Sequence, residues 1–298
     1  MRLLFLRGGA LGDFLVTLPA LAALRSRWPD ARIELVGNAT AAALVLDRGL
    51  FDRVHSQHEA RWAGLYADEL TDELKRWLRE FDVVLNYFPD PARELARHFP
   101  LRSGQVFLSA PPTPAIAPAG AHFCAPLREL GIGPGDFVYP LRTASPEASL
   151  IGLHPGSGSS RKNWPADRWQ TLATWLERDL HASLVIFSGE AEPVGVLAGI
   201  GRAFRSRPLG EVADQLACCR LFIGHDSGIS HLAAACGTPA ILLFGPTDPK
   251  VWAPPGDEIE VLHAGAEVAS ISIELVQSAT KRFLARASAN TLERPDPD

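Results

Sequence analysis

The amino-acid sequence predicts an α/β protein made of two doubly wound units in series, each a mostly parallel sheet covered by helices. Three observations predict it. Short apolar runs of strand length alternate with stretches whose apolar residues recur at helical spacing, the pattern of βαβ units. The alternation stops in a Gly- and Pro-rich stretch over residues 131–148 and then restarts. The chain has 298 residues, the length of two ordinary domains.

Taken in order, Leu3–Leu6 is a continuous apolar run closed by Gly8 and Gly9, as expected of a strand buried on both faces. Met1–Arg7 resembles a leader peptide, but its apolar run is only four residues, so a first strand is the better reading. Leu11, Phe14, Leu15, Leu18, Leu21 and Leu24 mark a helix through Gly12–Trp28, which Pro29 ends. Ile33–Gly37 reads as the second strand and Ala39–Asp47 as a small helix. Asp52–His55 and Val83–Tyr87 are further strands, with a helix over Asp68–Arg79 between them. Residues 100–120 carry Pro111, Pro112, Pro114 and Pro118 and are expected as a surface loop, with a helix over His122–Leu130 after it. The second unit reads as strand Leu150–His154, helix Ala166–Leu180, strand Leu184–Ser188, helix Val212–Cys219, strand Leu221–Gly224 and helix Gly228–Cys236. Strands Ala240–Phe244 and Ile259–His263 and a last helix, Ser272–Ala287, complete it. The expected domains are thus 1–140 and 150–287, joined by a linker over 141–149, with 288–298 a frayed polar tail.

Composition excludes several functions. The net charge is −5, and the first 140 residues hold 15 basic against 16 acidic side chains, so neither half offers the basic surface that nucleic acid requires. No run of about 20 apolar residues exists, so no spanning helix is expected and the predicted location is cytoplasmic. Cys124, Cys218, Cys219 and Cys236 fit no zinc spacing and suit core positions in a reducing compartment. Asp296 and Asp298 form an acidic pair, but a frayed terminus is a poor metal site.

Ligands of doubly wound folds bind at the carboxyl ends of strands, and four constellations stand there. The first is Arg7–Asp13. Gly9 and Gly12 permit close approach of backbone to a ligand, and Asp13 falls in the first helical turn, either as a helix cap or as a general base. It is no dinucleotide fingerprint, because Arg7 stands where a glycine is needed and Gly37-Asn38 replaces the acid that would hold a ribose. The second is His154–Pro165. Ser157 and Lys162 suit a phosphate, although Asn163 after the lysine excludes a Walker loop; the alternative is a plain polar loop. In the third, Glu190 is placed to bind ribose hydroxyls or simply to face solvent. In the fourth, Asp226, Ser227 and Gly228 open a helix whose free N–H groups suit an anion, and His231 lies one turn on. Capping remains the alternative there.

Together the segments Arg7–Pro19, His154–Pro165, Phe222–Thr238 and Phe244–Pro249 resemble glycosyltransferase family 9, the ADP-heptose:lipopolysaccharide heptosyltransferases. The resemblance implies a GT-B fold, two Rossmann-like domains facing across a cleft. It implies an inverting, metal-independent transferase with no cofactor, and a nucleotide-sugar donor, ADP-heptose, held by the C-terminal domain. The implied acceptor is a lipopolysaccharide core or similar glycolipid, held by the N-terminal domain of a protein peripheral to the inner membrane; a monomer is expected. Carried onto this chain, Asp13 matches the proposed general base, and Lys162 the lysine that contacts the donor phosphates. Asp226, Ser227, Gly228 and His231 match the segment around diphosphate and sugar, and Glu190 a ribose-binding glutamate. Gly9 stands where many relatives carry serine, and Ser227 where threonine is commoner. Arg48, Arg53, Arg61, Arg93 and Arg97 are acceptor-binding candidates without motif support. The rival readings are a non-catalytic nucleotide-sugar binder, a GT-B epimerase of UDP-sugars and, least in keeping with the glycine pattern, a nucleotide-dependent oxidoreductase.

Overall fold

The computed structural model describes residues 1–67, 69–133, 135, 137, 139–141, 146–189 and 195–292. The chain divides into two compact units, Met1–Tyr139 and Pro140–Asp298. In the first, β1 (Arg2–Arg7), β2 (Arg32–Gly37), β3 (Arg53–Ser56), β4 (Val83–Asn86) and β5 (Val106–Ser109) form a parallel sheet in the order β3-β2-β1-β4-β5. β1 is central, so Leu3, Leu4, Phe5 and Leu6 are all buried and the strand shows no alternation.

The helix expected over Gly12–Trp28 is in fact two, α1 (Leu11–Leu15) and α2 (Leu18–Arg27). Pro19 has no N–H to continue the ladder and is tolerated only in a first turn, so a new helix starts there. The Thr17 hydroxyl donates to the Phe14 carbonyl at 2.6 Å, and the Thr17 carbonyl accepts from Ala20 and Leu21. The Ala39–Asp47 helix is α3 (Ala39–Ala42) followed by a 3-10 turn over Ala43–Arg48. A 3-10 segment at Ala60–Tyr66 precedes α4 (Asp72–Leu78), which starts where Thr71 caps it rather than at Asp68, a residue outside those described. α5 (Glu94–His98) is an addition to the expected elements. The loop expected over residues 100–120 contains β5, an edge strand that pairs with β4 alone and buries only Leu108, so its apolar signal is faint. The last helix of the unit starts early, as α6 (Ala119–Cys124), and tightens into a 3-10 turn over Ala125–Leu130, where Pro126 lacks the N–H an α-helix would use.

In the second unit, β6 (Glu147–His154), β7 (Ser183–Ser188), β8 (Arg202–Arg205), β9 (Cys219–His225), β10 (Ala240–Phe244) and β11 (Ile259–His263) form a parallel sheet in the order β11-β10-β9-β6-β7-β8. α7 (Ala166–Asp179) lays Trp169, Leu172 and Leu176 on Ile151, Leu153 and Ile223 of the sheet. α8 (Leu209–Ala217), α9 (Gly228–Ala235), α10 (Pro249–Trp252) and α11 (Ile273–Leu292) complete the unit. β6 begins inside the expected linker, whose residues 142–145 lie outside those described. β8 was not expected: an edge strand with an arginine at each end carries no strand pattern. α11 continues through Leu292, so the first part of the expected frayed tail is helical, while Asp296 and Asp298 lie outside the described residues.

No helix among the described residues is long and apolar enough to cross a membrane. None of the four cysteines forms a disulfide. Burial pushes the Cys124 thiol up to about 11 and the Cys219 thiol up to about 12, which favours the protonated thiol over the thiolate.

The strand orders locate the sites. In unit 1 the chain builds outward from β1 through β2 to β3, then returns to β1 and builds the other way through β4 and β5. In unit 2 it leaves β6 toward β8 and returns beside β6 as β9. The crevices at the carboxyl ends of β1 and β4, and of β6 and β9, are therefore switch points, where loops diverge and a ligand fits.

Candidate functional site

At the switch point of unit 2, one buried imidazole holds the loop after β6 at both ends. His225, the last residue of β9, accepts the Trp164 N–H on Nε2 at 2.8 Å, and its Nδ1 lies 3.1 Å from the Gly156 carbonyl. A backbone donor at Nε2 and a carbonyl at Nδ1 require the neutral ring with its proton on Nδ1. The Trp164 indole anchors the same point by donating to the Ile271 carbonyl at 2.8 Å, and Trp169 packs edge-on against both Trp164 and His225. Between the pins, the Ser157 hydroxyl lies 2.7 Å from the Ser159 carbonyl and 2.6 Å from Asn163 Oδ1, stapling the loop internally. The segment expected to suit a phosphate, with a plain polar loop as the alternative, is thus a braced loop.

The brace aims Lys162. Its Nζ sits 2.6 Å from Asp226 Oδ2, and the Thr247 hydroxyl donates to the same oxygen at 2.7 Å. The Asp226 side chain is 8% exposed and that of Lys162 28%, so the ammonium keeps an open side while the carboxylate is enclosed. Ser227 caps α9 by accepting the Ser230 N–H at 3.3 Å, and its hydroxyl lies 3.3 Å from His154 Nδ1. Gly228 is the first residue of α9, where N–H groups have no acceptor within the helix. His231 follows one turn later and is buried. The structure therefore brings Lys162 and Asp226 together and sets Ser227, Gly228 and His231 on the adjoining helix start. Glu190 lies outside the described residues.

At the switch point of unit 1, Asp13 is tied on both carboxylate oxygens. Oδ2 accepts the Ala10 N–H at 2.9 Å, the capping role, and Oδ1 meets the Arg7 guanidinium at 2.9 Å. Arg7 is 3% exposed. Its guanidinium also donates to the carbonyls of Asp13 and Pro112 and lies over the Phe123 ring. Burial lowers the Arg7 pKa, and the charge of Asp13 opposes that shift. Gly9 has φ +118°, a conformation that side chains avoid, and a Cβ there would stand 2.6 Å from Asp13 Oδ2. Gln57 and Asn38 hold the Gly9 backbone: Gln57 Oε1 accepts its N–H at 2.8 Å, and Asn38 Nδ2 donates to its carbonyl at 3.1 Å. Gly12 lies within α1, its carbonyl accepting the Val16 N–H.

Arg7, Thr247 and His225 were not among the residues predicted for the site. The first opened a quoted motif but was given no role beyond breaking a glycine fingerprint. The other two lay inside quoted motifs, but their partners are remote in sequence. Of the arginines considered for the acceptor, Arg61 is taken up by Glu59 at 2.9 Å and His55 at 2.8 Å, and Arg97 bonds its own helix start.

Two parallel doubly wound sheets, each with loops diverging at its switch point, are Rossmann-like domains of the GT-B class. Residues 136–281 match the family model described as glycosyltransferase family 9 (heptosyltransferase). The chain is 31% identical to lipooligosaccharide heptosyltransferase 2 of Haemophilus influenzae over 127 residues, a match that spans only 37% of that protein and 39% of this chain. It is 27% identical to lipopolysaccharide heptosyltransferase 1 of Pseudomonas aeruginosa over 84% of this chain and 80% of that one. A heptosyltransferase of Escherichia coli solved with ADP superposes with a TM-score of 0.72 at 20% identity, covering 95% of this chain and 100% of the other. The second unit thus resembles glycosyltransferase family 9, and similarity to a heptosyltransferase extends over most of the chain.

Proposed function

We propose that this protein transfers a heptose, or a closely related sugar, from an ADP-sugar to a hydroxyl of a lipopolysaccharide-core or similar glycan, with inversion and without a metal ion. One observation carries the reading: Lys162, positioned by Asp226 on a braced loop, beside the N-terminus of α9 at the switch point of unit 2. The relative solved with ADP supports adenosine diphosphate as the carrier.

In this mechanism the acceptor oxygen attacks the anomeric carbon on the face opposite the diphosphate. The bond from that carbon to the diphosphate oxygen breaks, and its electron pair leaves with ADP. The acceptor proton passes to Asp13. Lys162 and the N–H groups at Gly228 stabilise the charge that grows on the leaving oxygens, the part a metal ion plays in other transferases. Asp226 would repel a diphosphate directly; its part is to orient the ammonium, with Thr247 holding the carboxylate in place. The acceptor is held by unit 1, at the cytoplasmic surface of the inner membrane.

The test is a thermal-shift panel of ADP-, UDP- and GDP-sugars followed by turnover with the donor that stabilises the protein. ADP-sugars should shift the melting temperature, and EDTA should leave turnover unchanged. Lys162→Ala should weaken both ADP binding and turnover. Asp13→Asn should lower turnover by about 10²–10⁴-fold while ADP binding persists. A response to UDP-sugars alone would overturn the donor. ADP binding with no transfer or donor hydrolysis would leave a nucleotide-sugar binder.

A further inference from the structure

His154 is the last residue of β6, a strand with partners on both sides, and it is 1% exposed. Its Nδ1 lies 3.3 Å from the hydroxyl of Ser227, the cap of α9. In the transfer described above this imidazole has no part.

Protons are scarce around that hydroxyl. Ser227 Oγ accepts the Ser230 N–H at 3.3 Å and lies 3.2 Å from Ser230 Oγ. Ser230 commits its own hydroxyl proton to the His225 carbonyl, so its oxygen can only accept from Ser227. Ser227 therefore has one proton for three claimants: Ser230 Oγ, His154 Nδ1 when that nitrogen is bare, and an anion at the start of α9. A proton on Nδ1 reverses the bond to His154. The ring then donates, Ser227 accepts, and the hydroxyl proton is available to the anion.

Charge points the same way. Lys162 and Asp226 pair at 2.6 Å and together carry no net charge, whereas a diphosphate is multiply negative. The partial charge at a helix start, about half an elementary charge, does not balance it. Ionisable groups surround His154 from the neighbouring elements. β9 ends in His225 and runs into Asp226, the loop after β6 carries Arg161 and Lys162, and α9 carries His231. β7 has none, and Arg205 of β8 lies beyond it, 3.5 Å from Ser188 Oγ. His225 must stay neutral to accept the Trp164 N–H, and Arg161 is exposed. His154 and His231 are the buried rings left, and His154 has its ring on the capping hydroxyl.

We infer that His154 is a positioning residue of the donor site: binding of the diphosphate draws a proton from solvent onto its ring, and the imidazolium turns the Ser227 hydroxyl to the ligand. This rests on the transferase reading above and deepens its donor half. Charge on the diphosphate grows as the sugar leaves, so the imidazolium is held more tightly at the end of the transfer than at the start, the direction that speeds it.

The experiment titrates the full-length protein with ADP by calorimetry at pH 8, in buffers of different ionisation enthalpy. The slope of observed enthalpy against buffer enthalpy counts the protons taken up. The parent should take up roughly half to one proton per ADP. His154→Asn offers Ser227 an amide N–H without the charge and should take up roughly none. Between pH 8 and pH 7 the parent's ADP affinity should gain on the variant's by about three- to tenfold, a comparison in which the ionisation of ADP itself cancels. A histidine that only filled space would change affinity without moving either readout. Nitrogen-15 NMR of the histidine rings in the parent needs no variant: one ring should gain the imidazolium signature on saturation with ADP. ADP binding without proton uptake, uptake that survives His154→Asn, or no ring gaining charge overturns the inference and leaves the transferase reading standing. A parent that binds no ADP overturns both.

Discussion

Replacing His225 with leucine tests whether the loop after β6 is held by one imidazole. The substitution fills much of the same space but removes the acceptor for the Trp164 N–H and the partner of the Gly156 carbonyl, both at a fully buried ring. A buried backbone group left without its partner costs about 1–3 kcal/mol, so the two together predict a loss of about 2–6 kcal/mol in unit 2. His225→Gln places an amide oxygen near the position of Nε2 and should recover the Trp164 half of that loss. Because the two units form separate cores, urea unfolding should be followed by tryptophan fluorescence and circular dichroism, and the transition that moves in the leucine variant assigned to unit 2. Calorimetric titration of the folded variant with ADP is the second readout. With the loop unpinned, Lys162 loses its aim at Asp226, and each 1.4 kcal/mol of lost interaction weakens ADP binding about tenfold. A leucine variant as stable as the parent to within about 0.5 kcal/mol, with unchanged ADP affinity, would refute the argument.

Two further outcomes follow from unit 1. Gly9→Ala puts a Cβ against the Asp13 carboxylate at a backbone angle that side chains avoid, so it should destabilise the unit by about 1–3 kcal/mol and lower turnover without changing ADP affinity; equal stability by urea unfolding would refute it. Glu34 is fully buried; burial alone would raise its pKa, but hydrogen bonds from His55 and Arg2 and the charge of Arg2 outweigh it and hold the carboxyl below its usual 4.5. A depressed acid stabilises the fold above the unfolded value and loses that contribution as pH falls through the folded one. Glu34→Gln should therefore cost about 1–3 kcal/mol at pH 7, with the gap from the parent narrowing below about pH 4.5 in urea midpoints measured down the series.

Much of the architecture was legible because central parallel strands are buried on both faces. Leu3–Leu6 and Ala240–Phe244 announce themselves as uninterrupted apolar runs. The edges were not. β5 and β8 pair on one side only and keep exposed or charged residues, so their composition matches loop as well as strand. Pro19 sat inside a helical pattern that continued past it, and periodicity alone concealed the break. In the candidate site, the residue types at Lys162 and Asp226 pointed to an anion, but their pairing spans 64 positions and needs the β6–β9 adjacency to exist. The roles of His225 and Arg7 were invisible for the same reason. His225 works by bonding backbone 61 and 69 positions away, and Arg7 by reaching the carbonyl of Pro112.

Every strand of each sheet comes from one uninterrupted stretch of chain, Arg2–Ser109 for the first and Glu147–His263 for the second. Among the described residues, no segment crosses over to complete the other half's sheet. A single recombination near residue 140 would therefore exchange one half entire, as a cassette, without leaving a sheet short of a strand. The family match begins at residue 136, beside that seam. Chimeras joined at the seam are the natural material for asking which half sets which property of the protein.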